Sequence, residues 1–362
     1  MTAPLRPHRR SLLAALPAGI LASGCKGQAQ EPPLASLSVP PLKMVAPFPV
    51  GVCVSTGNFE DPTLLPLILQ NFSQFTAEWQ MKMETILKDD GSFAFAEPDR
   101  IVDFAGENGV RMHAHTLIWY AQKPAAFERI DGNKTAFQNA YRNYIAAVAG
   151  RYRGRVVSWD VVNEPVADEG GVLRECLWSK NLGQLGYMID AYHLAREADD
   201  QALLFLNDYW LEKRPEKRRA FLHLAEQLLK SGAPLQGLGS QTHLDIGLEP
   251  GSVKAAIKDI ASLGLPIHLS ELDVSTRFTR FDGEGDGQKA TRQARLVHET
   301  VEAFMALPER QRFAITNWGV RDSDSWMQRP PNPPGVNKPL LFDAEGRPKP
   351  AAAAFVAAAT GR

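Results

Sequence analysis

The chain has 362 residues, with 40 Lys and Arg against 41 Asp and Glu and a formal net charge of -1. That length suits one large α/β barrel or two small domains. The balanced charge, with no basic block, excludes a nucleic-acid surface, which needs clustered Lys and Arg to displace counterions.

The first 27 residues read as an export signal rather than as folded structure. Arg9-Arg10 precede Ser11-Leu12-Leu13, an apolar stretch runs to Ile20, and Ala22-Ser23-Gly24-Cys25 closes it with small residues. The paired arginines resemble a twin-arginine signal, and the end resembles a lipobox with Cys25 as the lipidated residue. The alternative is a plain cleaved signal with Cys25 incidental. Either way an exported bacterial protein is expected, periplasmic, extracellular or held to a membrane by lipid. Residues 28–46 carry Pro32, Pro33, Pro40 and Pro41 and read as a semi-stiff tether. Residues 47–362 are expected to be one folded domain. Cys53 and Cys176 have neither zinc spacing nor a Cys-x-x-Cys arrangement, and can pair only if they meet in space.

Beyond the tether, short β-like runs alternate with longer helical patterns, the signature of repeated βα units around a parallel sheet. The runs are Gly51–Val54, Gln74–Ala77, Arg111–Thr116, Val156–Val161, Leu203–Leu206, Leu238–Gln241, Ile267–Leu272 and Phe313–Asn317. Helices are expected over Pro98–Asn108, Thr135–Gly150, Leu182–Ala198, Glu216–Ser231, Val253–Leu263 and Lys289–Leu307, several of them closed by a glycine. Eight such units predict a single closed (β/α)8 TIM barrel. An open doubly wound sheet is the runner-up, but no Gly-rich phosphate turn follows the first run.

A barrel gathers its functional residues at the carboxyl ends of its strands. Those ends carry Glu78, His115 with Trp119, Asn163 with Glu164, Asn207 with Asp208, Gln241 with His243, Glu271 with Asp273, and Trp318. Two of the runs, Trp159–Glu164 and Ile267–Val274, deliver a glutamate to the far end. Paired carboxylates suit glycosidic hydrolysis, one as acid and one as the carboxylate opposite. Residue type alone does not say which is which, because surroundings set the two pKa values. Gln241 and His243 alternate along an extended segment and should point to the same side; Asp273 is placed to orient the His243 imidazole.

Sugar rings lie flat on indole, while their hydroxyls need fixed partners. Trp119, Trp318 and Trp326 offer faces, and Glu78, Lys82, His115, Asn163 and Gln241 offer edges. Trp178 reads as core packing. Lys82 reads equally well as a solvated residue in a surface ion pair with Glu78, four residues earlier. His113 and His115 share one face of a strand, which opens a metal-hydrolase reading, although later strand ends add only His243.

Together these segments resemble glycoside hydrolase family 10, the retaining endo-1,4-β-xylanases, over about Pro47 to Ala354. The motifs are Thr76–Lys82, His113–Trp119, Trp159–Glu164, Leu206–Tyr209, Gly239–Leu244, Ser270–Val274, Trp318–Asp322 with Ser325-Trp326, and Pro339–Asp343. The resemblance implies Glu164 as acid/base and Glu271 as nucleophile, their carboxyl groups roughly 5 to 5.5 Å apart. Asn163 would bond the 2-hydroxyl, with Gln241 and His243 around the nucleophile. Glu78, Lys82, His115, Trp119, Trp318 and Trp326 would form the glycone side.

Xylan or xylo-oligosaccharides are the implied partners, with no metal, no organic cofactor and a monomeric enzyme expected. The chain departs from the family where Trp79 and Trp210 replace asparagines, which should reshape the glycone side, and where Tyr120 stands for a second histidine. A non-catalytic glycan-binding lipoprotein and the same chemistry on another β-1,4-glycan are the alternatives.

Overall fold

A computed structural model describes residues 37–361; the export signal and Cys25 lie outside the described residues. Nine parallel strands run β1 Val50–Val54, β2 Gln74–Ala77, β3 Arg111–Trp119, β4 Ser158–Asn163, β5 Leu203–Asp208, β6 Gly237–Ser240, β7 His243–Asp245, β8 Ile267–Ser275 and β9 Arg312–Asn317. Their order is β6-β5-β4-β3-β2-β1-β9-β8-β7, and an additional β6–β8 pairing closes the ring. Eight strands therefore form the barrel, while β7 pairs only with the far end of β8, His243 opposite Asp273. The expected TIM barrel is the observed fold.

The strands are buried on both faces, under helices outside and against one another inside. Outward residues pack under the helices in a continuous core, while the barrel interior is plugged by rings: Phe205 and Phe313 lie 4.7 Å apart and His113 and His268 4.5 Å apart. His268 sits in mid-strand, its Nε2 2.7 Å from Thr316 Oγ1. This aromatic plug sits under the catalytic floor and leaves the strand ends free to carry polar groups.

Two expectations about helices and termini change. The helix expected over Leu182–Ala198 begins only at Gly186; Leu182 ends a separate short helix, Leu177–Leu182, closed by Gly183, whose φ of 88° suits glycine. Part of the expected tether belongs to the barrel: Leu42–Val45 is helical, Leu42 is fully buried, and its amide donates to Asn71 Oδ1 at 3.2 Å. A tether's composition does not register one apolar residue that finds a core pocket. Cys53 is buried and Cys176 half-buried, and both thiols are free. Among the described residues no helix is long and apolar enough to cross a membrane.

Candidate active site

Glu164 follows the last residue of β4 and takes a left-handed backbone, φ 56°. Such a conformation costs a non-glycine residue on the order of 1–3 kcal/mol, so surrounding contacts must hold it. They do: its amide donates to Asn207 O at 2.8 Å, Arg174 Nε donates to its carbonyl at 3.1 Å, and after Pro165 the Val166 amide donates to Asp208 Oδ2 at 3.0 Å. Asp208 is itself buried beside Lys217, 2.9 Å away. Burial pushes the Asp208 carboxyl up to about 6 against the pull of Lys217. Leaving one of such a buried pair without its partner costs about 3–5 kcal/mol.

The carboxylate so placed is gripped from three sides. Trp119 Nε1 donates to Glu164 Oε2 at 2.8 Å, and Gln241 Nε2 and Asn163 Nδ2 donate to Oε1 at 2.9 and 3.3 Å. Trp119 reaches it because the β3–β4 pairing shifts register after His115, setting Trp119 opposite Asn163. Trp178 anchors the Trp119 backbone: it is buried, as expected, and its Nε1 donates to Trp119 O at 3.0 Å.

Glu271, inside β8, is joined to Glu164 through amides. Asn207 Nδ2 donates to Glu271 Oε1 at 3.2 Å and to Asn163 Oδ1 at 3.0 Å, and Ser270 Oγ donates to Asn207 Oδ1 at 2.8 Å. Gly239 makes room for this, since a Cβ there would meet Asn207 Oδ1 at 2.2 Å. His243 Nε2 lies 3.4 Å from Glu271 Oε2, and its Nδ1 2.9 Å from Asp273 Oδ2. Asp273 thus faces the imidazole as expected, and it also accepts from Trp326 Nε1 at 2.9 Å.

Burial opposes charge on His243, but Asp273 and Glu271 push it up to about 10. Burial likewise opposes charge on Glu271, yet His243, His115 and Lys82 hold its carboxyl below the usual glutamate value. An imidazolium beside an ionised Glu271 is the resulting state.

Gln241 and His243 do not lie on one extended segment as expected: β6 ends at Ser240 and β7 begins at His243. Both face the cleft, but Thr242 between them is left-handed, φ 58°, so a backbone turn and not strand alternation aims them. Lys82 is only 6% exposed and is not a solvated residue. Burial lowers its pKa, and its ammonium lies 4.2 Å from the Trp79 ring centroid and 4.9 Å from that of Trp119. Glu78 pairs instead with Arg329, 2.8 and 3.2 Å away, across 251 residues of chain. Trp318 is buried edge-on to His115, ring centroids 5.6 Å apart, whereas Trp326 is 40% exposed.

His113 and His115 do share a face, but both reach the same buried Asp160 Oδ2, at 3.0 and 2.7 Å. Among the described residues no three His, Cys, Asp or Glu side chains are arranged to hold a metal ion. Asp160 was legible as an acid within an apolar run; Arg174 and Arg329, from loops, carried no pattern. Tyr120 packs under the Arg174 guanidinium, 4.2 Å from its ring centroid.

Ring order divides the cleft. Between β4 and β8 one arc passes through β3, β2, β1 and β9 and carries His115, Trp119, Glu78, Lys82, Trp79 and Trp318; the other passes through β5 and β6 and carries Tyr209, Trp210 and Lys213. Trp79 and Trp210 therefore stand on opposite sides of the two carboxylates, which corrects the expectation that both reshape one side. The cleft they border holds about 470 Å³.

A closed (β/α)8 barrel with two buried, amide-linked glutamates at strand ends and indoles along an open cleft defines a glycoside-hydrolysing site. A sequence model for glycosyl hydrolase family 10 matches residues 42–358, and the chain belongs to that family. It is 35% identical over 312 residues to endo-1,4-beta-xylanase B of Paenibacillus barcinonensis, covering 83% of this chain and 92% of that one. It is 34% identical over 318 residues to exoglucanase XynX of Acetivibrio thermocellus, covering 84% of this chain but 28% of that longer protein. A thermostable mutant of the xylanase Xyn10A from Cellvibrio japonicus superposes with a TM-score of 0.81 at 32% identity, over 89% of this chain and all of that one.

Proposed function

We propose that the protein is a retaining endo-1,4-β-xylanase that cleaves internal bonds of xylan through a glycosyl-enzyme intermediate. The observation that carries this is the Glu164–Glu271 pair, bridged by Asn163, Asn207 and Gln241 beneath an indole-lined cleft. Ionised Glu271 attacks the anomeric carbon while Glu164 protonates the departing oxygen. Glu164 then takes a proton from water, which displaces Glu271 and restores the original configuration. Asn163 holds the 2-hydroxyl, and the arc of Glu78, Lys82, His115, Trp119, Trp318 and Trp326 holds the glycone; Trp210 then faces the leaving group. The enzyme works without metal or organic cofactor, as a monomer. Incubation with xylan and xylohexaose should release short β-configured xylo-oligosaccharides. Binding of xylan without product would overturn the reading.

His243 sets where the enzyme works in pH. Its folded pKa is raised from 6.5 to about 10, so the stability it contributes is complete below about 6.5 and is lost as pH rises through about 10. The stability advantage of wild type over His243→Gln should therefore shrink across that window in denaturant titrations. The same variant should move the acid limb of kcat/KM to higher pH, because Glu271 loses a neighbouring positive charge. An unmoved limb would show that His243 does not tune the nucleophile.

Trp79 replaces a small amide with a ring that covers Lys82. In Trp79→Asn, kcat/KM on linear xylo-oligosaccharides should change by about tenfold and the favoured bond should shift. No change in either would make this indole a bystander.

We also infer export with a lipid anchor. Arg9-Arg10 ahead of an apolar stretch and Cys25 after Ala22-Ser23-Gly24 support it. Wild type should fractionate with membranes and Cys25→Ser should not; a soluble wild type would leave a plain cleaved signal.

A further inference from the structure

Glu212 is a buried carboxyl that the proposed chemistry does not use. After β5 the chain turns at Trp210, φ 59°, and sends Leu211 and Glu212 inward, 0% and 3% exposed. Among the described residues Glu212 has no ion-pair partner, and the ammonium of its neighbour Lys213 goes to Asp245 instead, 2.5 Å away. A loop glutamate buried without a cation costs stability unless a hydrogen bond holds it. Its one side-chain partner is Ser240: the hydroxyl donates to Glu212 Oε1 at 2.6 Å, while Oε2 has no partner among the described residues. Burial pushes this carboxyl up, against the pull of the Ser240 hydroxyl, Lys213 and His243.

Ser240 ends β6 and opens the turn that carries both Gln241 and His243. Three bonds hold that turn: Ser240 to Glu212, Thr242 Oγ1 to Ser240 O at 2.7 Å, and the Gln241 amide to Asp208 O at 2.9 Å. Thr242 is left-handed, and a residue so strained keeps its place only while its surroundings hold it. From the turn Gln241 Nε2 reaches Glu164 Oε1 at 2.9 Å, and His243 Nε2 lies 3.4 Å from Glu271 Oε2. We infer that Glu212 is a positioning residue: through Ser240 it sets the turn from which Gln241 and His243 address the two catalytic carboxylates. The inference rests on the xylanase reading, which makes those carboxylates the acid/base and the nucleophile.

The test reads the pH profile of kcat/KM on linear xylo-oligosaccharides for Ser240→Ala, Glu212→Leu and Glu212→Gln. Ser240→Ala removes the donor with the least change in packing, and Glu212→Leu removes the acceptor. Each should lower kcat/KM by about tenfold or more. Each should also move the acid limb to higher pH, because His243 drifts from Glu271 toward Asp273 and leaves His115 and Lys82 to hold the nucleophile ionised. The double variant should lose no more than Glu212→Leu, as two ends of one bond require. Glu212→Gln keeps the acceptor and should keep the wild-type limb. In a His243→Gln background, Ser240→Ala should move the limb no further. A lower Tm with limb and kcat/KM unchanged would reduce Glu212 to a structural group and overturn the inference. A limb that shifts equally without His243, or Glu212→Gln behaving as Glu212→Leu, would overturn it too. Failure of wild type on the linear substrates would instead sink the xylanase reading itself, and this inference with it.

Discussion

Replacing Glu271 with alanine should lower kcat on xylo-oligosaccharides by on the order of 10⁴-fold or more, whatever the leaving group. The carboxylate is 5% exposed, receives Asn207 Nδ2 at 3.2 Å and faces His243 at 3.4 Å, and three neighbouring cationic or imidazole groups keep it ionised. No neighbour can take its place. Asp273, two residues on, is held between His243 and Trp326, with its oxygen bound at 2.9 Å by the indole. Because alanine leaves a cavity on the nucleophile's side, added azide or formate should partly restore cleavage of an activated aryl xyloside and give the α-configured product. Product of unchanged configuration, or a loss of less than tenfold, would remove Glu271 from the nucleophile's role. KM measured on the residual activity should change far less than kcat, since the group acts on the transition state and not on uniform binding.

Much of this site was legible because its signals are local. A β-branched or apolar run ending in an amide, acid or indole marks both a buried strand and its functional end, and that pattern alone singles out Glu78, His115, Asn163, Asn207, Gln241 and Glu271. Strand limits moved by only a few residues, as with β4, which begins at Ser158 and reaches Asn163. What escaped depends on distant chain or on rare backbone. The Glu78–Arg329 pair spans 251 residues, and the Lys82 ammonium lies over Trp119, from another strand, as well as over nearby Trp79. The left-handed turns at Glu164, Trp210 and Thr242 have no glycine to announce them, since side-chain and backbone contacts hold them in place of residue preference. Trp210 was misplaced for a further reason: motif order names a position, but only the ring order of the strands says on which side of Glu164 and Glu271 that position falls.

Glu164→Ala should separate the two glutamates by leaving-group dependence. Its carboxylate takes hydrogen bonds from Trp119, Gln241 and Asn163, at 2.8, 2.9 and 3.3 Å, which fix it on the side from which the departing oxygen is protonated. For xylan, whose leaving sugar needs that proton, kcat/KM should fall by about 10²–10⁴-fold. An aryl xyloside with an acidic phenol leaves unaided, so its first step should survive. The glycosyl-enzyme should then accumulate, because no base activates the water, and a burst of phenol followed by a slow steady state should appear. Azide needs no base and should relieve that second step, giving a β-configured azide, the opposite of the product from Glu271→Ala. An equal loss on both substrates, with no burst, would mean that Glu164 only shapes the site. The pair of azide configurations assigns both roles from one kind of experiment, because each carboxylate's absence opens a different face of the same anomeric carbon.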